Sequence, residues 1–195
     1  MPRNLVLAST SSYRRALLER LRVAFTAVSP GTDEQPLPGE TADATALRLA
    51  EEKARAVAAA RSAAVVIGSD QVAILDGCVL GKPGTHEAAL GQLLASRGKM
   101  IVFHTAVCVV CSETSHIETV NIPTTVYYRH YSEAQAQRYL ELDHPYDCAG
   151  SAKIEGLGIA LVERVESTDP TALIGLPLIA LVGMLERAGI RVPAE

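Results

Sequence analysis

Chemically versatile residues interrupt a series of apolar runs near the middle of the chain. The run Ala64–Ile67 is followed by Gly68-Ser69-Asp70-Gln71, and two further apolar runs lead to Lys82. These runs predict short strands, so Asp70 and Lys82 are expected at strand ends, beside glycines that leave room for a ligand. A carboxylate facing an ammonium group suits a metal-dependent site for a phosphate ester. On their own, however, such residues are more often simply solvated.

A second group of candidates follows the first predicted strand, Leu5–Ala8. The hydroxyl run Ser9-Thr10-Ser11-Ser12 precedes Arg14 and Arg15 at the start of a helical pattern. Hydroxyl side chains cap helices, and the free N–H groups of a helix N-terminus attract anions. An arginine there would add a bidentate phosphate contact. The local pattern fits an anion site and an ordinary capped helix equally well.

Further charged residues become candidates only if the fold gives them partners. The pair Asp33-Glu34 lies in a loop rich in Pro and Gly, and Lys53 lies in an amphipathic helix predicted over Asp43–Ala60. Glu155 lies in the glycine-rich segment Asp147–Gly158. Loops carry a disproportionate share of functional residues, although an isolated charge on a loop or helix is usually solvated.

The order of the predicted elements indicates a mixed α/β fold, because strands and helices alternate first and paired strands follow. Asp76-Gly77 predicts a hairpin turn. Met100–Cys111 and Glu118–Tyr128 are expected to be antiparallel neighbours. The other elements predicted after Asp76-Gly77 are a strand over Ile159–Val165 and helices over Thr85–Ser96, Ser132–Leu142 and Pro177–Arg187.

The composition limits the classes of function. The chain has 195 residues, a net charge of -4 and a pI of about 5.8. That charge argues against a nucleic-acid-binding protein, which carries a basic excess. The longest apolar stretch, Ala172–Leu185, is too short to span a bilayer, and no signal peptide is evident. We therefore expect a cytoplasmic protein without a membrane partner, whose four cysteines are reduced.

Seven short motifs, each weak alone, follow one another along nearly the whole chain. They are LASTSSYRR (Leu7–Arg15), DE (Asp33-Glu34), RLAEEKA (Arg48–Ala54), GSDQV (Gly68–Val72), LGKP (Leu80–Pro83), AGSAKIEGLG (Ala149–Gly158) and GLPL (Gly175–Leu178). In this order they resemble the Maf family of nucleoside triphosphate pyrophosphatases.

The resemblance implies an enzyme that splits a modified or non-routine nucleoside triphosphate into the monophosphate and pyrophosphate. The implied cofactor is a divalent metal cation, Mg²⁺ or Mn²⁺. The implied fold is the α/β fold shared with inosine triphosphate pyrophosphatases, in which an elongated mixed sheet is flanked by helices. It would form a single domain over residues 1–195, with two lobes around one cleft. A homodimer is also expected.

Three positions resemble the branch of the family that acts on 7-methyl-GTP. The branch acting on dTTP and UTP typically has Arg, Thr and Gln where this chain has Tyr13, Gln71 and Glu155. A tyrosine ring would stack on the cationic methylated guanine, and an ionised glutamate would accept the guanine N1–H and amino protons. Ala152 replaces an aromatic residue that is common after AGS, which would widen the pocket wall.

Family position also implies the roles of the charged residues. Asp70 is the expected general base for attack of water on the α-phosphorus, and the expected metal ligands are Asp70 and Glu34. The residues expected to bind the phosphates are Ser9, Arg14, Lys53 and Lys82. The alternatives are a dTTP/UTP pyrophosphatase of the same family and a non-catalytic nucleotide-binding regulator of cell division.

Overall fold

The computed structural model describes residues 4–61 and 63–193 and contains a mixed α/β fold, as the sequence predicted. The strands are Asn4–Ala8 (β1), Phe25–Val28 (β2), Ala64–Leu75 (β3), Cys78–Leu80 (β4), Met100–Cys111 (β5), His116–Tyr128 (β6) and Val162–Ser167 (β7). The α-helices are Ser12–Glu19 (α1), Ala42–Ala58 (α2), His86–Ser96 (α3), Glu133–Asp143 (α4) and Leu178–Arg187 (α5). None of the helices within these ranges is long and apolar enough to cross a membrane.

The seven strands are hydrogen-bonded in the order β2-β1-β3-β5-β6-β7, and β4 pairs with β3. Strand β1 is parallel to β2 and β3, and Leu7 stands opposite Ala27 and Ile67. The β3–β4 hairpin turns at Asp76 and Gly77, both with positive φ, which confirms the predicted turn. Strands β5 and β6 are neighbours joined by four residues, a connection that only antiparallel strands allow.

Backbone contacts divide the chain into two compact units. Unit one consists of residues 1–71, 105–122 and 169–195, and unit two of residues 72–104 and 123–168. An aliphatic core fills unit one, and its largest fully buried residues include Leu7, Leu17, Ile67, Leu181 and Leu185. The single domain predicted over 1–195 includes residues 1–3, 62, 194 and 195, which lie outside the described residues, and it stays a prediction.

Two of the predicted strand boundaries are wrong. Asp70 does not end a short strand, because β3 continues through Gly68–Gln71 to Leu75. Polar side chains are tolerated inside this strand because they have hydrogen-bond partners. Ser69 donates to Gly175 O, and Asp70 accepts from Lys53 Nζ. Strand β7 starts at Val162, later than predicted, because Leu157–Leu161 forms a 3₁₀ helix.

Gly68 allows helix α2 to lie directly against strand β3. A Cβ atom at this position would lie 2.1 Å from the carbonyl oxygen of Ala50 and 2.7 Å from the amide nitrogen of Ala54. Both of these atoms belong to the α2 backbone, so they have little freedom to move away. This close approach brings Lys53, on the same face of α2, to the strand that carries Asp70.

The substitution Gly68→Ala should therefore be strongly destabilising. We expect it to lower the free energy of unfolding by about 3 kcal/mol, near the upper end of overpacking effects. Gly91→Ala is the matched control, because Gly91 lies in α3 and a Cβ atom there would have no neighbour within 4 Å. It should raise the free energy of unfolding by about 0.5–1 kcal/mol. Urea denaturation measures both, and equal effects would contradict this account of the packing.

Candidate active site

The parallel strands of unit one bring several predicted site residues to one edge of the sheet. Ser9 directly follows β1, while β3 runs on past the end of β1 to reach Asp70. The carboxyl ends of parallel strands are the usual location of ligand sites in α/β sheets. Helix α1 begins at the same edge, and the Ser11 hydroxyl accepts a hydrogen bond from the Arg14 amide at 3.4 Å. The hydroxyl run therefore does cap the helix.

A buried ammonium group lies between two carboxylates at this edge. The Nζ atom of Lys53 is 2.6 Å from Asp70 Oδ1 and 2.6 Å from Glu34 Oε1. The side chains of Lys53 and Asp70 are only 4% and 10% exposed, whereas that of Glu34 is 60% exposed. An ammonium group this deeply buried requires paired charges. The lysine that looked like a surface residue in the sequence is thus a central part of the site.

The second oxygen of Asp70 has a different environment. Asp70 Oδ1 is bound by Lys53, but Oδ2 accepts no hydrogen bond from any residue within 4–61 and 63–193. The ammonium group fixes the orientation of the carboxylate through one oxygen. The other oxygen is left to act on a water molecule, a metal ion or a substrate.

Arg48 fixes the loop that carries Glu34. Its Nε and Nη2 atoms each lie 2.7 Å from an oxygen of Glu40, and Nη2 also donates to Gln35 O at 3.1 Å. This bidentate pair lowers the pKa of Glu40 to about 2. Because Arg48 lies on α2, the loop is attached to the helix that carries Lys53. Sequence reasoning missed this role, although Arg48 opens the RLAEEKA motif.

Arg14 is anchored by a backbone carbonyl from a distant segment. Its Nε donates to Gly175 O at 2.8 Å, and the Ser69 hydroxyl donates to the same oxygen at 3.0 Å. Burial lowers the pKa of Arg14, and the negative charges of Asp70 and Glu34 oppose this effect. Arg14 is therefore the arginine that the structure associates with the acidic pair, whereas Arg15 is exposed.

The amide group of Gln71 is held by the protein. Its Nε2 atom lies 2.9 Å from Thr105 Oγ1, 3.1 Å from Ala172 O and 3.0 Å from Leu173 O. Both amide hydrogens are thereby directed at protein acceptors, so a ligand would meet the amide oxygen. Thr105 was not identified from the sequence, because nothing in its strand distinguishes it from the other residues.

The remaining predicted site residues lie in different surroundings. Tyr13 is half-buried in the first turn of α1. Lys82 and Glu155 are exposed residues of unit two. The loop around Glu155 is fixed on both sides, because Tyr139 Oη accepts from the Lys153 amide at 2.8 Å and Asp143 Oδ2 accepts from the Leu157 amide at 2.9 Å.

The acidic pair is suited to a divalent metal ion that the substrate helps to bind. Within the described part of the chain, no group of three or more His, Cys, Asp or Glu residues could hold a metal. Mg²⁺, however, is commonly held by one or two carboxylates together with substrate phosphates and water. Asp70 and Glu34 provide that number of carboxylates, so the residues present fit such an ion.

Comparison with known sequences identifies the family. Residues 4–188 match the family described as Maf-like protein. The chain belongs to the Maf family. It is 58% identical over 181 residues to the 7-methyl-GTP pyrophosphatase of Ralstonia nicotianae, covering 93% of both chains.

Two further relatives carry the same name. Identity to the 7-methyl-GTP pyrophosphatase of Cupriavidus metallidurans is 56% over 185 residues, 95% of this chain and 93% of the relative. Identity to the protein of that name from Thiobacillus denitrificans is 56% over 188 residues, 96% of this chain and 94% of the relative. These matches confirm the Maf family that the seven motifs predicted.

The buried ion pair of this Maf protein yields a stability prediction. Lys53→Met leaves the Asp70 carboxylate buried without its ammonium partner, so the free energy of unfolding should fall by about 3–5 kcal/mol. Adding Asp70→Asn removes the uncompensated charge and should restore much of that loss. Urea denaturation in metal-free buffer measures the effect. A double variant as unstable as the sum of the two single variants would contradict the pairing.

Proposed function

We propose that this Maf protein is a hydrolase that converts 7-methyl-GTP to 7-methyl-GMP and pyrophosphate. The observation that carries the proposal is the cluster in which the buried Lys53 ammonium contacts both Asp70 and Glu34. Arg14 lies within the electrostatic influence of the same two carboxylates. The high identity to proteins named 7-methyl-GTP pyrophosphatase supports the choice of substrate.

Asp70 is proposed as the general base. Its Oδ2 atom takes a proton from a water molecule, whose oxygen forms a bond to the α-phosphorus. The bond between the α-phosphorus and the oxygen bridging to the β-phosphorus breaks, and pyrophosphate leaves with that oxygen. Lys53 orients the Asp70 carboxylate through the 2.6 Å contact to Oδ1.

The cationic residues are proposed to bind the triphosphate. Arg14 uses Nε to reach Gly175 O, and its two terminal nitrogens make no hydrogen bond with the described residues. They present the planar pair of donors that suits phosphate oxygens. Lys82 and the hydroxyl of Ser9 are proposed to add to this binding. Mg²⁺ or Mn²⁺, held by Asp70 and Glu34, would neutralise phosphate charge.

We assign the selectivity for the nucleobase of the substrate to Tyr13, Gln71 and Glu155. Tyr13 is proposed to stack on the cationic methylguanine, and Glu155 to accept its N1–H and amino protons. The Gln71 oxygen is the part of that side chain which the internal hydrogen bonds leave for a ligand. We also propose a homodimer and a cytoplasmic location.

A panel of substrates tests the reaction directly. Pyrophosphate release is measured from 7-methyl-GTP, GTP, dTTP, UTP and ITP, with Mg²⁺ or Mn²⁺ and after its removal by a chelator. We expect selective release from 7-methyl-GTP that the chelator abolishes and that Asp70→Asn lowers by a factor of about 100 or more. Preference for dTTP or UTP would contradict the assigned substrate. Binding without release from any nucleotide would favour a regulator of cell division.

Substitution of Glu155 tests the selectivity. Glu155→Gln replaces one acceptor by an amide that points donors at the guanine, so kcat/KM for 7-methyl-GTP relative to UTP should fall. The expected factor is about 10–100, the value of hydrogen bonds to a charged group. Glu163→Gln, an exposed residue of β7 in the same unit, is the control. Unchanged selectivity in Glu155→Gln would remove this role.

A further inference from the structure

Residues 169–178, which we term the Asp169 turn, connect β7 to α5. Backbone carbonyls of this turn accept hydrogen bonds from the side chains of Arg14, Ser69 and Gln71. Gly175 O accepts from Arg14 Nε at 2.8 Å and from the Ser69 hydroxyl at 3.0 Å. Ala172 O and Leu173 O accept from the Gln71 amide. These acceptors belong to the backbone, so their directions depend on how the turn itself is held.

The turn is held by one buried carboxylate. Asp169 is 1% exposed, and its Oδ1 atom accepts from the Thr171 amide at 3.0 Å and from the Thr171 hydroxyl at 2.6 Å. Its Oδ2 atom accepts from the Ile179 amide at 2.7 Å. This last bond caps α5, where the residue at the cap position, Pro177, has no side chain able to do so.

The Thr171 hydroxyl links the two ends of the turn. Besides contacting Asp169, it accepts from the Leu178 amide at 2.8 Å and lies 2.9 Å from Leu176 O. Gly175 lies in the segment between Thr171 and Leu176 and has φ 123°, a conformation that strains any residue with a side chain. The direction of the Gly175 carbonyl is thus set by a short segment that Thr171 closes.

We propose that Asp169 and Thr171 are positioning residues that orient Arg14 toward the phosphates of the substrate. The inference rests on the proposed function of this site and deepens it. Neither residue touches the substrate. They act through Gly175 O, which fixes Nε of Arg14 and thereby the plane in which its terminal nitrogens meet an anion.

The experiment uses inorganic pyrophosphate as the probe, so that binding is read without turnover. Calorimetry with Mg²⁺ gives its Kd for wild type and Thr171→Val, an isosteric change that removes the hydroxyl. We expect binding about tenfold weaker, the equivalent of one lost hydrogen bond, and KM for 7-methyl-GTP raised by a similar factor. Thr171→Ser, which keeps the hydroxyl, should bind within about twofold of wild type.

Two further variants separate positioning from general stability. Thr124→Val also removes the hydroxyl of a fully buried threonine, one that donates to Ser167 in unit two, and should leave pyrophosphate binding unchanged. In an Arg14→Gln background, Thr171→Val should cause no further loss, because its effect passes through Arg14. Circular dichroism verifies that each variant is folded.

Gly175→Ala is a second variant that should change the direction of the Gly175 carbonyl, and so weaken pyrophosphate binding. Its Cβ would meet Arg14 Nε at 3.6 Å without a clash, so its effect should come from the strained φ. If Thr171→Val does not fold, this variant decides the test. Wild-type pyrophosphate binding by folded Thr171→Val, or by folded Gly175→Ala where Thr171→Val does not fold, would overturn the inference. An additive effect with Arg14→Gln, or a wild type that binds no pyrophosphate, would overturn it as well. Failure of 7-methyl-GTP hydrolysis with the expected binding pattern would instead overturn the proposed function alone.

Discussion

The buried ammonium group of Lys53 imposes the strictest physical requirement on unit one. Such a group is stable in the interior only beside negative charge, and it is 2.6 Å from both Asp70 and Glu34. To meet this requirement α2 must lie against β3, which only the absence of a side chain at Gly68 permits. The loop carrying Glu34 must also reach α2, and Arg48 holds it there. The packing of α2 against β3 and the positions of Lys53, Asp70 and Glu34 therefore depend on each other.

The balance of charge in this cluster bears directly on substrate binding. The cationic Arg14 and Lys53 are offset by Asp70 and Glu34, so the cluster has little net charge of its own. A nucleoside triphosphate is strongly anionic and needs additional positive charge. A divalent cation held by the two carboxylates is proposed to supply it. This gives a physical reason for the metal requirement implied by the family, beyond activation of the attacking water.

Backbone carbonyls of the Asp169 turn help to anchor two side chains that are proposed to act on the substrate, Arg14 and Gln71. Among the described residues, the Arg14 guanidinium is anchored only through Nε and the Gln71 amide only through its nitrogen. The terminal nitrogens of Arg14 and the oxygen of Gln71 are therefore left for a ligand. An anchor of this kind directs a side chain without consuming the donors or acceptors that recognition requires. The Asp169 turn, held by buried hydrogen bonds, serves both residues.

The sequence by itself determined most of the secondary structure and the family. Helical periodicity and capping residues located α2, α3 and α4, and Asp76-Gly77 located the β3–β4 hairpin, because these signals are local. The ordered motifs led to the Maf family and, through it, to the candidate roles. Only the tertiary structure decided that Asp70 lies inside a strand, that Lys53 is its partner, and that Gly175 holds Arg14. Arg14 and Gly175 are 161 residues apart, and contacts over such separations leave no periodic or local trace in the chain. They arise from the way packed elements bring distant segments together.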